Sequence, residues 1–191
     1  MKNLLVLISF SISTFLFSQT QTYDVVLVGS DVGDMTITRT TSGTKKHYSL
    51  QSTTSVMFGS RVDKYTCTME FDNNVLVKST VENRKNGKLI WFTYVNRVGD
   101  AGYKVQTEKG LSTIAGAVSY CCYDIFFKEP KEGESVFSER WGKFGKISKK
   151  EEHVYKLVVP DAEDYTYNYE NGKMTKMEVP TFLGKCKFVM K

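Results

Sequence analysis

The chain has 191 residues, of which 41% are hydrophobic and 25% charged; 26 Lys and Arg against 21 Asp and Glu leave a net charge of +5. A chain of this length makes one domain and buries most of its surface without needing a metal or a disulfide. So small a charge argues against a nucleic-acid partner, and the lysines at 45–46 and at 143, 146, 149 and 150 read as solvated, the latter group being offset by Glu151 and Glu152.

The first element is a leader. Lys2 is followed by an uncharged apolar stretch over residues 4–17, the n-region and h-region of a secretory signal peptide. The stretch is too short for a membrane-spanning helix, which needs roughly 20 residues. Cleavage after Ser18 leaves residues 19–191 as one exported domain, periplasmic or extracellular and with no integral membrane span.

That domain reads as short alternating runs between turn residues, at 22–29, 32–40, 46–54, 61–71, 75–84, 88–97 and 103–107. In the fourth run Tyr65, Cys67, Met69 and Phe71 share one face, while Lys64, Thr66, Thr68 and Glu70 share the other. Asn86-Gly87 is a hairpin signal. The run at 88–97 is apolar on both faces, with Leu89, Trp91 and Val95 opposite Ile90, Phe92 and Tyr94, which predicts a strand covered on both sides. Regular spacing and tight turns predict an all-β fold, a single antiparallel sheet of about ten to twelve strands curled into an open barrel, half-barrel or roll.

One segment departs from this pattern. Ala117, Val118, Cys121, Cys122, Ile125 and Phe126 recur at helical spacing, with Ser119, Tyr123 and Asp124 opposite. This predicts a short helix over 118–127 with Tyr123 and Asp124 on a polar side; a strand buried on both faces is the alternative. Pro130 bars its continuation. Residues 129–150 are the least regular part, read as a long loop or a strand pair. At the C-terminus Tyr165, Tyr167 and Tyr169 alternate before Asn171-Gly172, and Met177 and Val179 alternate after it. A three-residue loop pairing Tyr169 with Lys173 and Tyr165 with Met177 puts these side chains on one face, and register follows the buried face.

The chemistry is sparse. Cys67, Cys121, Cys122 and Cys186 are compatible with buried free thiols or with one disulfide, but there is no C-x-x-C. His47 and His153 have no histidine at metal-ligand spacing, and Asp31 and Asp34 lack a calcium-loop pattern. Glu129, Glu132, Glu134 and Glu139 could supply acid and base, but their Lys- and Gly-rich setting reads as solvated. No nucleophile elbow, P-loop or dinucleotide fingerprint occurs, so neither a catalytic residue nor a cofactor is predicted. What stands out is aromatic content, with 11 Tyr, 12 Phe and 2 Trp.

Four stretches carry a resemblance. They are residues 23–29 (YDVVLVG) followed by 32–39 (VGDMTITR), then 126–130 (FFKEP), then 167–172 (YNYENG). In that order they resemble an uncharacterised family of secreted β proteins from flavobacteria and their relatives, a domain of unknown function. The opening pattern is also distantly similar to periplasmic half-barrel proteins. That resemblance implies a curved antiparallel sheet, and some proteins of that shape hold lipids. The expected function is a non-catalytic binding protein holding an apolar or amphipathic ligand on its concave face. Trp91, Phe92, Trp141 and Phe144 are the candidate ligand-binding residues, with the loop around Trp141 as a lid. The alternatives are an envelope protein that binds another protein without a small ligand, and an enzyme whose site is unrecognised.

Overall fold

The computed structural model describes residues 16–56, 61–181 and 184–191, so the predicted leader falls almost wholly outside the described residues. In chain order the elements are β1 (Leu16–Leu27), β2 (Ser30–Ser42), β3 (Lys45–Val56), β4 (Arg61–Asp72), β5 (Val75–Lys85), β6 (Lys88–Val98), β7 (Gly102–Thr107), β8 (Gly110–Ala115) and α1 (Cys122–Phe127). After the helix come β9 (Ser135–Ser138), β10 (Lys143–Glu151), β11 (Val154–Val158), β12 (Tyr165–Glu170), β13 (Lys173–Thr181) and β14 (Gly184–Met190). All 14 strands form one antiparallel sheet in the order β8-β7-β6-β5-β4-β3-β2-β1-β14-β13-β12-β11-β10-β9. The predicted class holds, with more strands than the ten to twelve expected: β8 had no prediction, and the irregular stretch 129–150 supplies β9 and β10.

Two hairpin runs meet where β1 pairs with β14, Val25 opposite Phe188. The ends of the strip, β8 and β9, do not pair with each other. The sheet closes by packing instead. The turn between β9 and β10 lies against the inner face of β6 and β7, where the Thr93 hydroxyl donates to the Arg140 carbonyl at 2.7 Å. Gly142 sits there with φ +58°, and a Cβ on it would come within 2.5 Å of Val105. Only glycine combines that left-handed backbone with so close an approach.

Period-two patterning accounts for the core. Ile37, Leu50, Cys67 and Val81 are buried and lie opposite one another in successive strands, β2 to β5. Their flanking residues face outward. The strand β6 shows the same division: Thr93 and Val95 are buried inward, while Ile90 is 49% exposed and Phe92 stacks on Tyr94 at 4.6 Å. Both of its faces are apolar in sequence, yet only the concave one is covered.

The C-terminal hairpin corrects the predicted register. Asn171 and Gly172, both at positive φ, make a two-residue turn with Glu170 opposite Lys173 and Tyr169 opposite Met174. A bulge then shifts the pairing so that Tyr167 meets Met177. The extra residue restores the common face that the predicted three-residue loop was meant to provide. Met174 and Met177 are both buried.

The helix is shorter than the predicted 118–127, and its surroundings reverse the predicted polar side. Residues 118–120 are irregular and Cys121 is extended, the stretch being pinned by hydrogen bonds from Leu76 N to the Val118 carbonyl (2.8 Å), from Val118 N to the Tyr103 hydroxyl (3.1 Å) and from Phe137 N to the Tyr120 carbonyl (3.0 Å). The helix begins where Asp124 accepts the Cys121 N–H at 3.0 Å, and it ends at Lys128, which is extended. Cys122, Tyr123, Asp124, Ile125 and Phe126 are all buried. The helix is therefore an internal plug, and its polar residues bond to the sheet: Asp124 accepts from Lys46 Nζ at 2.9 Å and from the Tyr48 hydroxyl.

Candidate functional site

The plug does not fill the rolled sheet, and a cavity of about 250 Å³ remains beside it. Strand register explains which side chains surround it. Ser52 lies opposite Tyr65, and Tyr65 opposite Asn83, which makes one wall from β3, β4 and β5. The facing wall is Phe188 opposite Met177 and Met177 opposite Tyr167, from β14, β13 and β12. Cys122, Tyr123 and Phe126 of α1 line it as well. Few polar groups in a concave apolar space is the usual form of a small-molecule site.

Among the described residues, the charged ones that line it are Asp63, Glu139 and Arg140. Asp63 has a neutralising partner in Arg61, at 2.7 Å. Glu139 corrects the sequence reading, which placed it in solvent. It is 5% exposed, and its Oε2 has no hydrogen-bond partner among the described residues. Burial pushes its carboxyl up to about 7, against the opposing pull of the Cys122 thiol, the Arg140 guanidinium and the Tyr123 hydroxyl. Arg140 rests on two indoles, 4.8 Å from the Trp91 ring centre and 4.7 Å from that of Trp141. The Tyr65 and Tyr123 hydroxyls face each other at 3.4 Å, and burial raises both phenols well above the ordinary value.

The four cysteines are free thiols. Burial raises Cys67, Cys121 and Cys122 well above the ordinary value, so each stays protonated and a poor nucleophile. No group of His, Cys, Asp or Glu among the described residues could hold a metal ion. His153 pairs with Glu129 at 2.9 Å at the surface.

The four sequence candidates have different fates. Trp91 points inward, packing on Tyr65 at 5.7 Å and beneath Arg140, and so supports the cavity without lining it. Trp141 donates its indole N–H to the Tyr165 hydroxyl at 3.3 Å and also stands behind the lining. Phe144 packs edge-on against Phe137 at 5.5 Å, in the wall formed by β9 and β10. Phe92 is on the convex face. The segment expected as a lid is a hairpin whose inner strand, β10, is paired to β11. Glu139, Arg140 and Tyr123 were missed as site residues. The one sequence signal for the first two was an acidic-basic pair directly before a tryptophan, in a stretch otherwise read as loop.

No curated protein matches this chain. Among solved structures, the chain is similar to the crystal structure of a β-barrel-like protein of the domain of unknown function DUF1849 from Brucella abortus, with a TM-score of 0.59 at 11% identity. The match covers 94% of this chain and 98% of that one. Such low identity shows a shared fold and nothing finer. The model of the domain of unknown function DUF6134 matches residues 23–191, nearly all that follows the predicted leader, and the chain belongs to that family.

Proposed function

We propose that this is an exported, non-catalytic binding protein that holds an apolar or amphipathic small molecule inside its rolled sheet. The observation that carries this reading is the cavity of about 250 Å³ between the aromatic and methionine walls, left open although a helix already occupies the interior. Protein interiors are otherwise close-packed, and an unfilled apolar space costs stability unless something uses it. The raised Cys122 thiol in the lining is a poor nucleophile, which suits a wall that holds a ligand. Among the described residues, no helix is long and apolar enough to cross a membrane. Native mass spectrometry of the protein purified from its own envelope tests the reading. A co-purified amphiphile of defined mass is expected, and failure of the protein to take up any amphiphile would overturn it.

A second reading rests on the strip's free end. In β8 the Leu111 side chain is 78% exposed and the outer backbone edge is unpaired among the described residues. Such an edge can accept a strand from another envelope protein. Cross-linking of the intact chain in the envelope, with and without a Thr113→Pro substitution on that edge, would test this reading.

A further inference from the structure

The cavity also carries information about the polar end of its occupant, and this inference rests on the binding reading above. Arg140 is the one basic residue in the lining, and its guanidinium makes no hydrogen bond or ion pair among the described residues. A half-buried cation without a counter-ion is unusual, because desolvation normally has to be offset by a partner. The two indoles fix the guanidinium plane and leave its N–H edge available. Of the two lining carboxyls, Asp63 is already paired with Arg61. The other, Glu139, is buried beside Arg140 with Oε2 unpartnered.

We propose that the ligand is an amphipathic carboxylate, its chain along the tyrosine and methionine walls, its head on Arg140, and the buried Glu139 carboxyl as the second polar contact. A guanidinium fork matches a planar carboxylate through two parallel hydrogen bonds. With a single cation in the lining, one negative charge is balanced, whereas a phosphate dianion would leave an excess. An amine would meet Arg140 as a like charge.

The site then responds to pH through Glu139. Facing it are Tyr65 and Cys67 of β4, Cys121, Cys122 and Tyr123 at the plug, Tyr165 and Tyr167 of β12, and Arg140. The phenols and thiols are all raised by burial and stay neutral through neutral pH. Glu139 is the group that changes. Below about 7 it is an acid whose O–H can donate a hydrogen bond to the bound carboxylate, and above that it is a second anion beside it. Affinity for a carboxylate should therefore fall as pH rises.

Calorimetric titration of the chain with decanoate, decanol and decylamine tests the assignment, since the three share a chain and differ in the head. Below pH 7 decanoate should bind about tenfold or more tighter than decanol, as a charge-assisted pair allows, and decylamine should bind weakest. Arg140→Met should reduce decanoate to the affinity of decanol and leave decanol unchanged. Decanoate binding should weaken above pH 7 in the wild type and lose that dependence in Glu139→Gln. Equal binding of decanoate and decanol by the wild type, a comparison that needs no variant, would overturn the head-group assignment while leaving the binding protein standing. Equal weakening of both ligands by Arg140→Met would do the same, and a flat wild-type pH profile would remove Glu139 from the site. If none of the three binds, the binding reading falls and the assignment with it.

Discussion

The strands β1 to β6 and the buried, interior parts of the segment from Gly116 to Gly142 solve opposite problems with similar residues. In the strands, each of 11 to 13 residues, polar side chains face water and apolar ones face the core, so period two tells inside from outside. In the interior segment nearly every side chain of α1 is buried, and so are Asp124, Ser138 and Glu139. At Asp124 polarity marks a bond to the surrounding sheet, and at Glu139 a place in the cavity. A helical wheel drawn for the segment separates polar from apolar correctly and still misplaces the solvent, because the sheet supplies partners on every side.

The contrast is sharpest at Tyr123 and Asp124, which the periodicity puts on a mild, solvent-facing side. Tyr123 is 2% exposed and packs edge-on against Tyr48 and Phe126. Tyr123→Ala should cost about 3–5 kcal/mol, the range for removing a buried aromatic ring. Asp124→Ala should cost about 3 kcal/mol, because it strands the Lys46 ammonium and the Tyr48 hydroxyl together. In the strands Thr20→Ala, which loses one exposed hydroxyl pair with Thr38, should change stability by about 0.5 kcal/mol or less. Urea unfolding of the three variants measures the comparison, and equal midpoints would remove the distinction between plug and sheet.

Glu139 extends the comparison to pH. Its folded carboxyl stands near 7 against an ordinary 4.5, so between those values the folded state holds a proton that the unfolded state has released. The stability this contributes is fully present below about 4.5 and is lost as pH rises through 7. At about 1.4 kcal/mol per pH unit the whole loss is about 3 kcal/mol. Glu139→Gln, neutral at every pH, should flatten this decline and leave the variant about 3 kcal/mol more stable than wild type at pH 8. Urea midpoints at pH 5 and pH 8 would show it, and parallel declines in both proteins would mean that Glu139 is not the group responsible.

Sheet and site were not equally legible in the sequence. Local alternation and Asn-Gly turns carry the strands, since each hairpin partner is the next run along the chain. Hairpin register was harder. At Asn171-Gly172 the common face of Tyr167, Tyr169, Met174 and Met177 is reached through a bulge, and nothing in a period-two count announces an extra residue. The site was harder still, because Tyr65, Glu139 and Tyr167 lie far apart in the chain and meet only when the strip rolls. Aromatic content pointed to Trp91 and Trp141, which do surround Arg140, but it could not say that the arginine between them faces the cavity.

A smaller effect than those of the plug separates two adjacent residues that look equivalent in sequence. Trp91 and Phe92 are neighbours on β6, and alternation sends one inward and the other outward. Phe92 makes its stack with Tyr94, whose hydroxyl in turn donates to Glu82 at 2.7 Å, all on the convex face. Phe92→Ala removes that one ring pair and should cost about 1 kcal/mol, within the range for an aromatic pair, with decanoate affinity unchanged. Trp91→Leu keeps an apolar side chain on the concave face but takes one of the two rings from Arg140. It should weaken decanoate about two- to fivefold, the share a single cation–π contact supports, and leave decanol alone. A ligand effect from Phe92→Ala would place the binding face on the convex side of the sheet. A loss of decanol binding in Trp91→Leu would mean that the tryptophan contacts the chain of the ligand, where the geometry has it holding the arginine that reads the head.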